Sequence, residues 1–430
     1  MPRTTLALTS FVSGEFSAKM DGRTDFDKYA SGTKTLENFL VHPQGAATRR
    51  VGTQFIAEVK DSSKKTRLIP FEFSTTQTYI MEFGDQYIRF YKDKGQILSG
   101  GSAYEISSPF LEAELFDIKF AQSADVMYLC HPNHDVRKLS RTGHTSWTLA
   151  TVSFSGSPSL PISGSDNRPS CVSFFEQRLV FANTNNNPQT LWFSKAGDYE
   201  NFTTGTNADD AMIYTIASNQ VNAIQYLKAV RTLVVGTSGG EFTVSADGTD
   251  ASITPTNVTI KRQSSFGSAG VDAIPAGNAI LFLQKAKRKI RELAYNFDSD
   301  GYVAPDLTIL NDTVTKSGIV QMIFQQEPDS IIWCVRDDGE LAGLTYQRSE
   351  NVVSWHRHIF GGVFGNGNSV CESAASISGT LTEDELWVIV KRTINGATKR
   401  YVECFSDFDF DETDATDFKF LDSHLSYSGS

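Results

Sequence analysis

A hairpin-like unit recurs seven times along this chain, at a spacing of roughly fifty residues. Each copy has an apolar β-rich run, a short polar or glycine-containing turn, and a second β-rich run. One such unit cannot bury both of its faces, whereas units packed around an axis can, and a closed ring leaves only short, protected edges. A period of this length with strand character is typical of β-propeller blades. The seven copies are Thr78–Tyr91, Asp125–Ser140, Arg178–Ser194, Thr232–Ser245, Ala279–Leu293, Ser330–Thr345 and Glu385–Phe405.

The repeat predicts the fold class and the organisation of the chain. We expect a mainly β protein, a β-propeller of about six to seven blades with a small N-terminal α/β platform segment. Glycine-serine-rich stretches, Ser155–Ser165 and Ser373–Thr380, are interpreted as loops between blades. The expected divisions are a platform segment over 1–65, the repeat region over 66–406, and an acidic linker followed by the start of a further, truncated β domain over 407–430.

The first 65 residues differ from the repeat. Thr24 or Asp25 can cap a helix, and the spacing of the apolar residues predicts that helix over Asp25–Leu40, although Gly32 weakens its middle. Residues 42–52 (HPQGAATRRVG) carry turn-forming residues and predict an ordered loop. The first clear strand is predicted over Thr66–Phe73.

Composition excludes several classes of protein. The chain is 40% hydrophobic and 11% aromatic, which excludes a disordered protein, and no apolar run is long enough to predict a membrane helix or a signal peptide. The five isolated cysteines predict reduced thiols rather than disulfides or a zinc site. A net charge of −11 disfavours tight binding of nucleic acid, but is compatible with an acidic wall along which DNA slides.

No motif predicts a cofactor, a metal site or an enzyme. Asn296, Asp298 and Asp300 match half of a calcium loop, but the required glutamate is absent, so a plain turn is favoured. His131 and His134 lack firm zinc-finger spacing and are interpreted as turn residues. The basic run 285–291 is interpreted as an exposed hairpin turn. A glycosidase with two carboxylates distant in sequence stays open as an alternative.

Several stretches, in collinear order over nearly the whole chain, resemble the tail nozzle proteins (tail tubular protein B) of short-tailed bacteriophages. The N-terminal stretch 11–52, FVSGEFSAKMDGRTDFDKYASGTKTLENFLVHPQGAATRRVG, is similar to an opening typical of that family, except that Ala46 stands where the family has a second glycine. The other stretches are 174–202, 216–227, 288–310 and 325–347. Members of the family continue past a stretch like FLDSHLSYSG, so we expect further sequence beyond residue 430.

The resemblance implies a structural protein of the virion tail that is made in the host bacterial cytoplasm. It implies a homohexameric ring below the portal and adaptor proteins, which carries tail fibres or spikes. Such a ring closes the DNA channel and conducts the genome during ejection, with transient passage of DNA, no specific binding and no membrane insertion. The family has no catalytic residues to transfer. The alternative is a propeller tail protein that binds or hydrolyses host glycans.

Two sets of residues follow as candidate sites. We expect Arg49 and Arg50, in the loop outside the repeat, to contact the adaptor or a neighbouring subunit. The acidic residues at the end of the repeat region are expected to face the DNA channel. These are Asp407, Asp409, Asp411 and Glu412.

Overall fold

The protein is a seven-bladed β-propeller. A computed structural model describes residues 8–156, 158, 160–217, 220–248, 251–379, 383–407 and 418–426. Within these ranges, seven antiparallel sheets of four strands form the blades, and blade 1 carries an additional short strand. No helix of the described residues combines the length and the apolar character that crossing a membrane requires.

The strands of each blade follow in chain order, except for the last strand of blade 7. Blade 1 has Arg67–Ser74, Gln77–Gly84, Tyr87–Lys92 and Glu105–Ser107, with Gly95–Gln96 beside the third. Blade 2 has Lys119–Ser123, Val126–His131, His134–Gly143 and Ser146–Thr151, and blade 3 has Cys171–Phe175, Arg178–Ala182, Thr190–Phe193 and Met212–Thr215. Blade 4 has Ile224–Ala229, Leu233–Thr237, Gly240–Ala246 and Val258–Ser264, and blade 5 has Ile274–Ala276, Ala279–Leu283, Ile290–Asn296 and Gly301–Val303. Blade 6 has Ile319–Gln325, Ile331–Arg336, Leu341–Gln347 and Val352–His358, and blade 7 has Val370–Ser378, Asp384–Ile394, Ala397–Phe405 and Thr53–Glu58.

Each of the seven sequence repeats forms the second and third strands of one blade, which confirms the repeat. Second strands are buried on both faces, as in Ala279–Leu283 and Ile331–Arg336, where every residue is buried. Such strands give continuous apolar runs, and these are the strongest strand signals in a sequence. Fourth strands such as Val258–Ser264 are half-exposed and give a weaker pattern.

The chain divides into two compact units. One consists of residues 1–84, 89–97 and 307–430, and contains blades 6 and 7, the first two strands of blade 1, most of its third strand and the short strand beside it. The other consists of residues 85–88 and 98–306, and contains blades 2 to 5. Each unit has its own apolar clusters, which lie between successive blades, such as the cluster of Phe175, Leu191 and Val235 between blades 3 and 4.

Blade 7 is completed by a strand from the N-terminal part of the chain. Thr53–Glu58 pairs antiparallel with Ala397–Phe405 and is the fourth strand of this blade. The sequence analysis placed residues 53–58 in the platform segment, whereas the structure places them in the propeller. The strand is short and bounded by polar residues, and its partner lies more than 300 positions away, so no local pattern indicated the pairing.

The helix predicted over Asp25–Leu40 is not formed. The structure has a five-residue 3-10 helix over Asp27–Ser31, followed by the two-residue strand Gly32–Thr33. The apolar residues do not share a buried face, because Phe26 and Phe39 are exposed while Leu36 is buried. Gly32 ends the helical turn and pairs with Gly14. A Cβ atom on Gly32 would lie 2.1 Å from the ring of Phe16.

The remaining elements are short. The described residues form three further 3-10 helices, Ala18–Met20, Glu112–Asp117 and Arg348–Glu350. Small two-stranded hairpins lie outside the blade sheets; they are Phe39–Val41 with Ala47–Arg49, Leu98–Ser99 with Ser102–Ala103, and Val363–Phe364 with Gly367–Asn368. The described part of Ser155–Ser165 connects blades 2 and 3, as expected. Residues 373–378, in contrast, are not a loop, because they lie in the first strand of blade 7.

Candidate functional site

The N-terminal segment is held against blade 6 by buried polar contacts. Gly14–Glu15 pairs parallel with Gly32–Thr33. The Glu15 carboxylate, which is 5% exposed, accepts the Leu36 amide at 2.7 Å and Arg357 Nε at 2.8 Å. The Asn311 side-chain amide donates to the carbonyl of Glu15. The segment that carries the strongest resemblance is therefore an integral part of its unit.

Arg50 is buried in an internal ion pair. Its two terminal nitrogens bind the two carboxylate oxygens of Asp422 at 2.7 and 2.9 Å, and also donate to the carbonyls of Val51 and Ile359. The guanidinium lies 5.0 Å from the centre of the Phe360 ring. The structure gives Arg50 an internal role, which the sequence could not indicate because Asp422 lies 372 positions away.

Arg49 is exposed and differs from its neighbour in this respect. Its guanidinium lies 5.2 Å from the ring centre of Phe420, and Phe420 is itself 37% exposed. Phe39 pairs with Arg49 in the small hairpin and is 41% exposed. Of the two predicted contact arginines, Arg49 is the one whose side chain is presented to solvent.

The predicted acidic site lies mostly outside the described residues. Asp409, Asp411 and Glu412 are not among them. Asp407 is described, is 60% exposed, and forms an ion pair with Lys94 Nζ at 2.6 Å. The structure thus places one of the four acidic residues, and gives it a basic partner.

A cavity of about 480 Å³ lies between the N-terminal hairpin and blades 6 and 7. Its apolar lining includes Trp333 and Phe405, and its acidic lining includes Asp329, Asp384 and Glu385. Burial raises the pKa of the Glu385 carboxyl. The hydrogen bond that Trp387 Nε1 donates to this carboxyl lowers the pKa, but by less. An apolar pocket with a few convergent polar groups is a candidate ligand site.

Like Glu385, the other two carboxylates have internal partners. The Asp384 carboxylate accepts the backbone amides of Gln326 and Glu327 at 2.8 and 3.1 Å. Asp329 pairs with His42 Nδ1 at 2.9 Å. These carboxylates therefore hold the turn between the first and second strands of blade 6. Sequence reasoning missed the cavity because its wall combines three separate stretches of the chain.

A buried histidine pair lies at the edge of blade 6. The Thr345 hydroxyl donates to the Val41 carbonyl at 2.7 Å and lies 3.2 Å from His356 Nε2, so this nitrogen donates to the hydroxyl. His356 Nδ1 then accepts from His358 Nε2 at 2.6 Å. His358 Nδ1 has no hydrogen-bond partner. This direction of donation requires the His356 ring to be neutral. Burial lowers the pKa of His356 to about 3 and that of His358 well below its ordinary value, so His358 is neutral as well.

The calcium-like sequence forms a hairpin turn between the third and fourth strands of blade 5. Asn296 Oδ1 accepts the Ser299 amide at 3.1 Å, and Asp300 accepts the Tyr295 hydroxyl at 2.6 Å. In the basic run, Arg291 stacks on Phe266 and Lys289 pairs with Asp306 at 2.8 Å. Both stretches have structural partners within blade 5 and its neighbours.

All five cysteines are free and buried. Burial raises the pKa of these thiols, with Cys171 at about 12, so they remain protonated at neutral pH. This agrees with the prediction of reduced core residues, and such thiols are inert toward nucleophilic chemistry.

Comparison with known proteins supports the fold and nothing finer. No protein-family model and no curated protein matches the chain. Similar solved structures include U3-55K and the RRP9 WD40 repeats, each at 9% identity and a TM-score of 0.50. Each match covers 83% of this chain, together with 100% of the U3-55K chain and 99% of the RRP9 chain. The Neurospora crassa Pan2 WD40 domain is 9% identical, with a TM-score of 0.47, over 86% of this chain and 97% of that domain. The present chain has no Trp-Asp dipeptide, the signature of WD40 repeats.

Proposed function

We propose that this chain is a structural subunit of a bacteriophage tail nozzle. In this proposal, copies of the chain form a ring below the adaptor and portal proteins in the virion, and the ring closes the DNA channel and then conducts the genome. The observation that carries the proposal is the collinear series of stretches resembling nozzle proteins, with the N-terminal stretch 11–52 as its strongest member.

The way this stretch is held supports the proposal. One side of it is fixed by buried contacts of Glu15 and Arg50, while residues 21–28 are all exposed, together with Arg49. A segment that is rigidly anchored on one side and open on the other is suited to contact a neighbouring subunit or an adaptor, because little conformational entropy is lost on binding. We define residues 21–28 and Arg49 as the platform surface.

The net charge of the chain is compatible with a conduit for DNA rather than a tight binder of nucleic acid. The net charge of −11 repels phosphates on average, so DNA would pass without adhering. Asp407 is the described member of the acidic set proposed to face that DNA, and Lys94 partly offsets its charge.

The decisive experiment is assembly on the adaptor ring encoded by the same genome. We expect light scattering to show an increase of six chain masses on that ring, and no stable binding of double-stranded DNA. Arg49→Glu should weaken assembly, because it reverses the charge of a side chain on the proposed contact surface. The fold should stay intact, because this side chain is exposed. Lys261→Glu, an equal charge change at an exposed site in blade 4, is the matched control.

Unchanged assembly by Arg49→Glu would remove Arg49 from the proposed contact without touching the nozzle proposal. Failure of the unaltered chain to associate with the adaptor ring would count against the nozzle proposal itself. Arg50→Glu is unsuitable for this test, because it places a second negative charge beside the buried Asp422.

The second candidate is a glycan-binding or glycan-hydrolysing tail protein, and the cavity beside blade 7 is the observation that favours it. Glu385 lines this cavity, and a carboxylate with a raised pKa is a suitable group for contact with a sugar. Retention of the chain on host polysaccharide, lost in Glu385→Gln, would support this candidate. Equal elution of both proteins from that matrix would oppose it.

A further inference from the structure

Three side chains with metal-ligating atoms meet at the turn of the central hairpin of blade 2. His131 and His134 are paired residues on either side of the two-residue turn, so both side chains lie on the same face of the hairpin. Glu114 reaches them from the 3-10 helix Glu112–Asp117, which precedes the blade. One ligand atom from each of the three lies within 4.8 Å of the others.

One of these side chains is buried with an unused polar atom. His131 is 2% exposed, and its Nε2 has no hydrogen-bond partner. An unpartnered polar atom at this depth costs free energy unless something binds it. Phe110 packs edge-on against both imidazole rings, at centroid distances of 6.0 and 5.0 Å, and shields one side of the cluster.

The other two side chains are oriented and reach solvent. His134 Nε2 lies 2.7 Å from Glu114 Oε2, and their side chains are 19% and 14% exposed. The Leu111 amide and the Asn133 side-chain amide donate to the same carboxylate, each at 3.0 Å. These donors fix the carboxylate, and the partial exposure gives a cation a path of entry.

We propose that Glu114, His131 and His134 bind a divalent transition-metal cation of the zinc type. Two imidazoles and one carboxylate are a ligand set that zinc uses, with a fourth position open to water. In a tetrahedral zinc site, neighbouring ligand atoms lie about 3.4 Å apart, given metal–ligand distances of about 2.0–2.2 Å. On binding, the 2.7 Å pair of His134 Nε2 and Glu114 Oε2 must open slightly, and the His131 ligand atom must move toward the other two.

The protonation states of the cluster favour a cation. Burial lowers the pKa of His131, so this ring is neutral at neutral pH. Burial raises the pKa of Glu114, but the donors from Leu111, His134 and Asn133 outweigh it and lower that pKa to about 2, so the carboxylate is ionised. A metal ligand must be deprotonated in this way.

Binding through the two imidazoles requires one proton to move on each ring. His134 Nε2 donates to Glu114 Oε2, so its proton must pass to His134 Nδ1 when the cation takes Nε2. His131 Nδ1 accepts the Asn133 amide at 3.1 Å, so the proton of the neutral ring resides on Nε2. When the cation takes Nε2 of His131, that proton leaves Nε2 and Nδ1 becomes protonated. The Asn133 backbone amide then loses its acceptor and forms a hydrogen bond with water instead. Asn133 lies in the exposed turn, so its amide can find a water molecule there.

The test is titration of the full chain, first freed of metal with a chelator, with Zn²⁺ by calorimetry and with Co²⁺ by visible absorption. We expect one equivalent of either ion to bind, and the absorption of Co²⁺ to show four or five ligands including nitrogen. His134→Gln keeps a donor for Glu114 but removes the metal ligand, and should weaken binding at least about tenfold, as should Glu114→Gln. His424→Gln removes an exposed histidine from the other unit and should bind as the unaltered chain does.

Circular dichroism and melting of each variant show whether it is folded. Absence of stoichiometric Zn²⁺ binding by the folded, unaltered chain would overturn the proposal. So would equal affinities of the unaltered chain and the folded His134→Gln variant, since binding would then take place elsewhere. A rise in melting temperature with Zn²⁺ that is present in His424→Gln and absent in His134→Gln would support it.

Discussion

Burial, rather than residue type, decides what individual side chains do in this protein. Arg49 and Arg50 are adjacent and chemically identical, yet one is exposed beside an aromatic ring and the other is 6% exposed in a bidentate ion pair. The sequence predicted one role for both. A local pattern cannot separate them, because the difference arises from Asp422, at the other end of the chain.

The two arginines should therefore differ in their contribution to stability. Arg50→Ala leaves the Asp422 carboxylate buried without its partner, and should lower the free energy of unfolding by roughly 3–5 kcal/mol. Arg49→Ala removes an exposed contact with Phe420, and should cost no more than about 0.5–1 kcal/mol. Urea denaturation of the two variants measures this difference, and equal losses in both would contradict the internal role of Arg50.

Stability should fall in mild acid because of the histidine pair. His356 and His358 are neutral in the folded protein, with pKa values lowered by burial, whereas in the unfolded chain both take up protons near pH 6.5. Their contribution is complete above 6.5 and is lost as the pH falls from 6.5 toward about 3, the folded pKa of His356. Each ring should cost about 1.4 kcal/mol per pH unit in that window.

The check is the free energy of unfolding measured between pH 6.5 and pH 5, where each ring should remove about 2 kcal/mol. His358→Gln should reduce the slope of the free energy of unfolding against pH by the contribution of one ring, whatever its effect on stability at neutral pH. His424→Gln, in an exposed position, should leave the slope nearly unchanged. A slope in His358→Gln equal to that of the unaltered chain would mean that His358 is not a buried neutral ring.

Individual strands differ in how far the sequence reveals them. The central hairpins of all seven blades could be predicted, because burial on both faces gives them continuous apolar runs. The first strand of blade 7 was interpreted as a loop because it contains small residues. In the structure, Ser373 is fully buried and binds the Leu68 amide and the Gln321 side chain, so a small polar residue lets neighbouring blades approach closely.

The candidate sites were less predictable than the blades. Glu114 comes from a 3-10 helix that no periodic pattern marked, whereas His131 and His134 lie in the predicted hairpin of blade 2. The cavity beside blade 7 combines stretches near residues 40–51, 325–333 and 383–407, so its lining follows from the pairing of distant strands. Spacing in a sequence indicates a site only when the ligating residues share one local element, which is not true of either site.

The short N-terminal strand should depend on a glycine. Gly14 has a φ of +65°, and a Cβ atom there would lie 2.3 Å from the backbone nitrogen of Trp355. Gly22 also has a positive φ, +77°, but nothing lies within 4 Å of its Cβ position. Gly14→Ala should therefore displace the segment from blade 6, while Gly22→Ala pays only the backbone strain, about 1 kcal/mol.

Limited proteolysis is the direct measurement of that displacement. Cleavage within residues 11–40 should become much faster in Gly14→Ala than in Gly22→Ala, because the segment would lose the buried contacts of Glu15. Identical cleavage patterns in the two variants would show that the approach to Trp355 does not hold the segment in place.

At the scale of the whole molecule, blade 7 combines strands that are distant in the chain. Thr53–Glu58 covers the third strand, and the Thr53 hydroxyl donates to the fully buried Glu403 carboxylate at 2.6 Å. Arg392 pairs with the same carboxylate, and Ile56 and Ala57 pack against the cluster around Trp387. The last blade is therefore complete only when the N-terminal strand has docked.

A chain that lacks residues 1–58 should fail to remain monodisperse, because Ala397–Phe405 becomes an unpaired edge with exposed hydrogen-bonding groups. A chain that lacks only residues 1–7 keeps the strand and serves as the control. A synthetic peptide of residues 50–62, added to the longer truncation, should pair with the open edge and reduce aggregation, as strand addition does in other proteins. Size-exclusion chromatography with light scattering measures both effects. If the chain without residues 1–58 stays monodisperse and melts like the control, the N-terminal strand is an addition to a propeller that is already stable, and not the element that completes it.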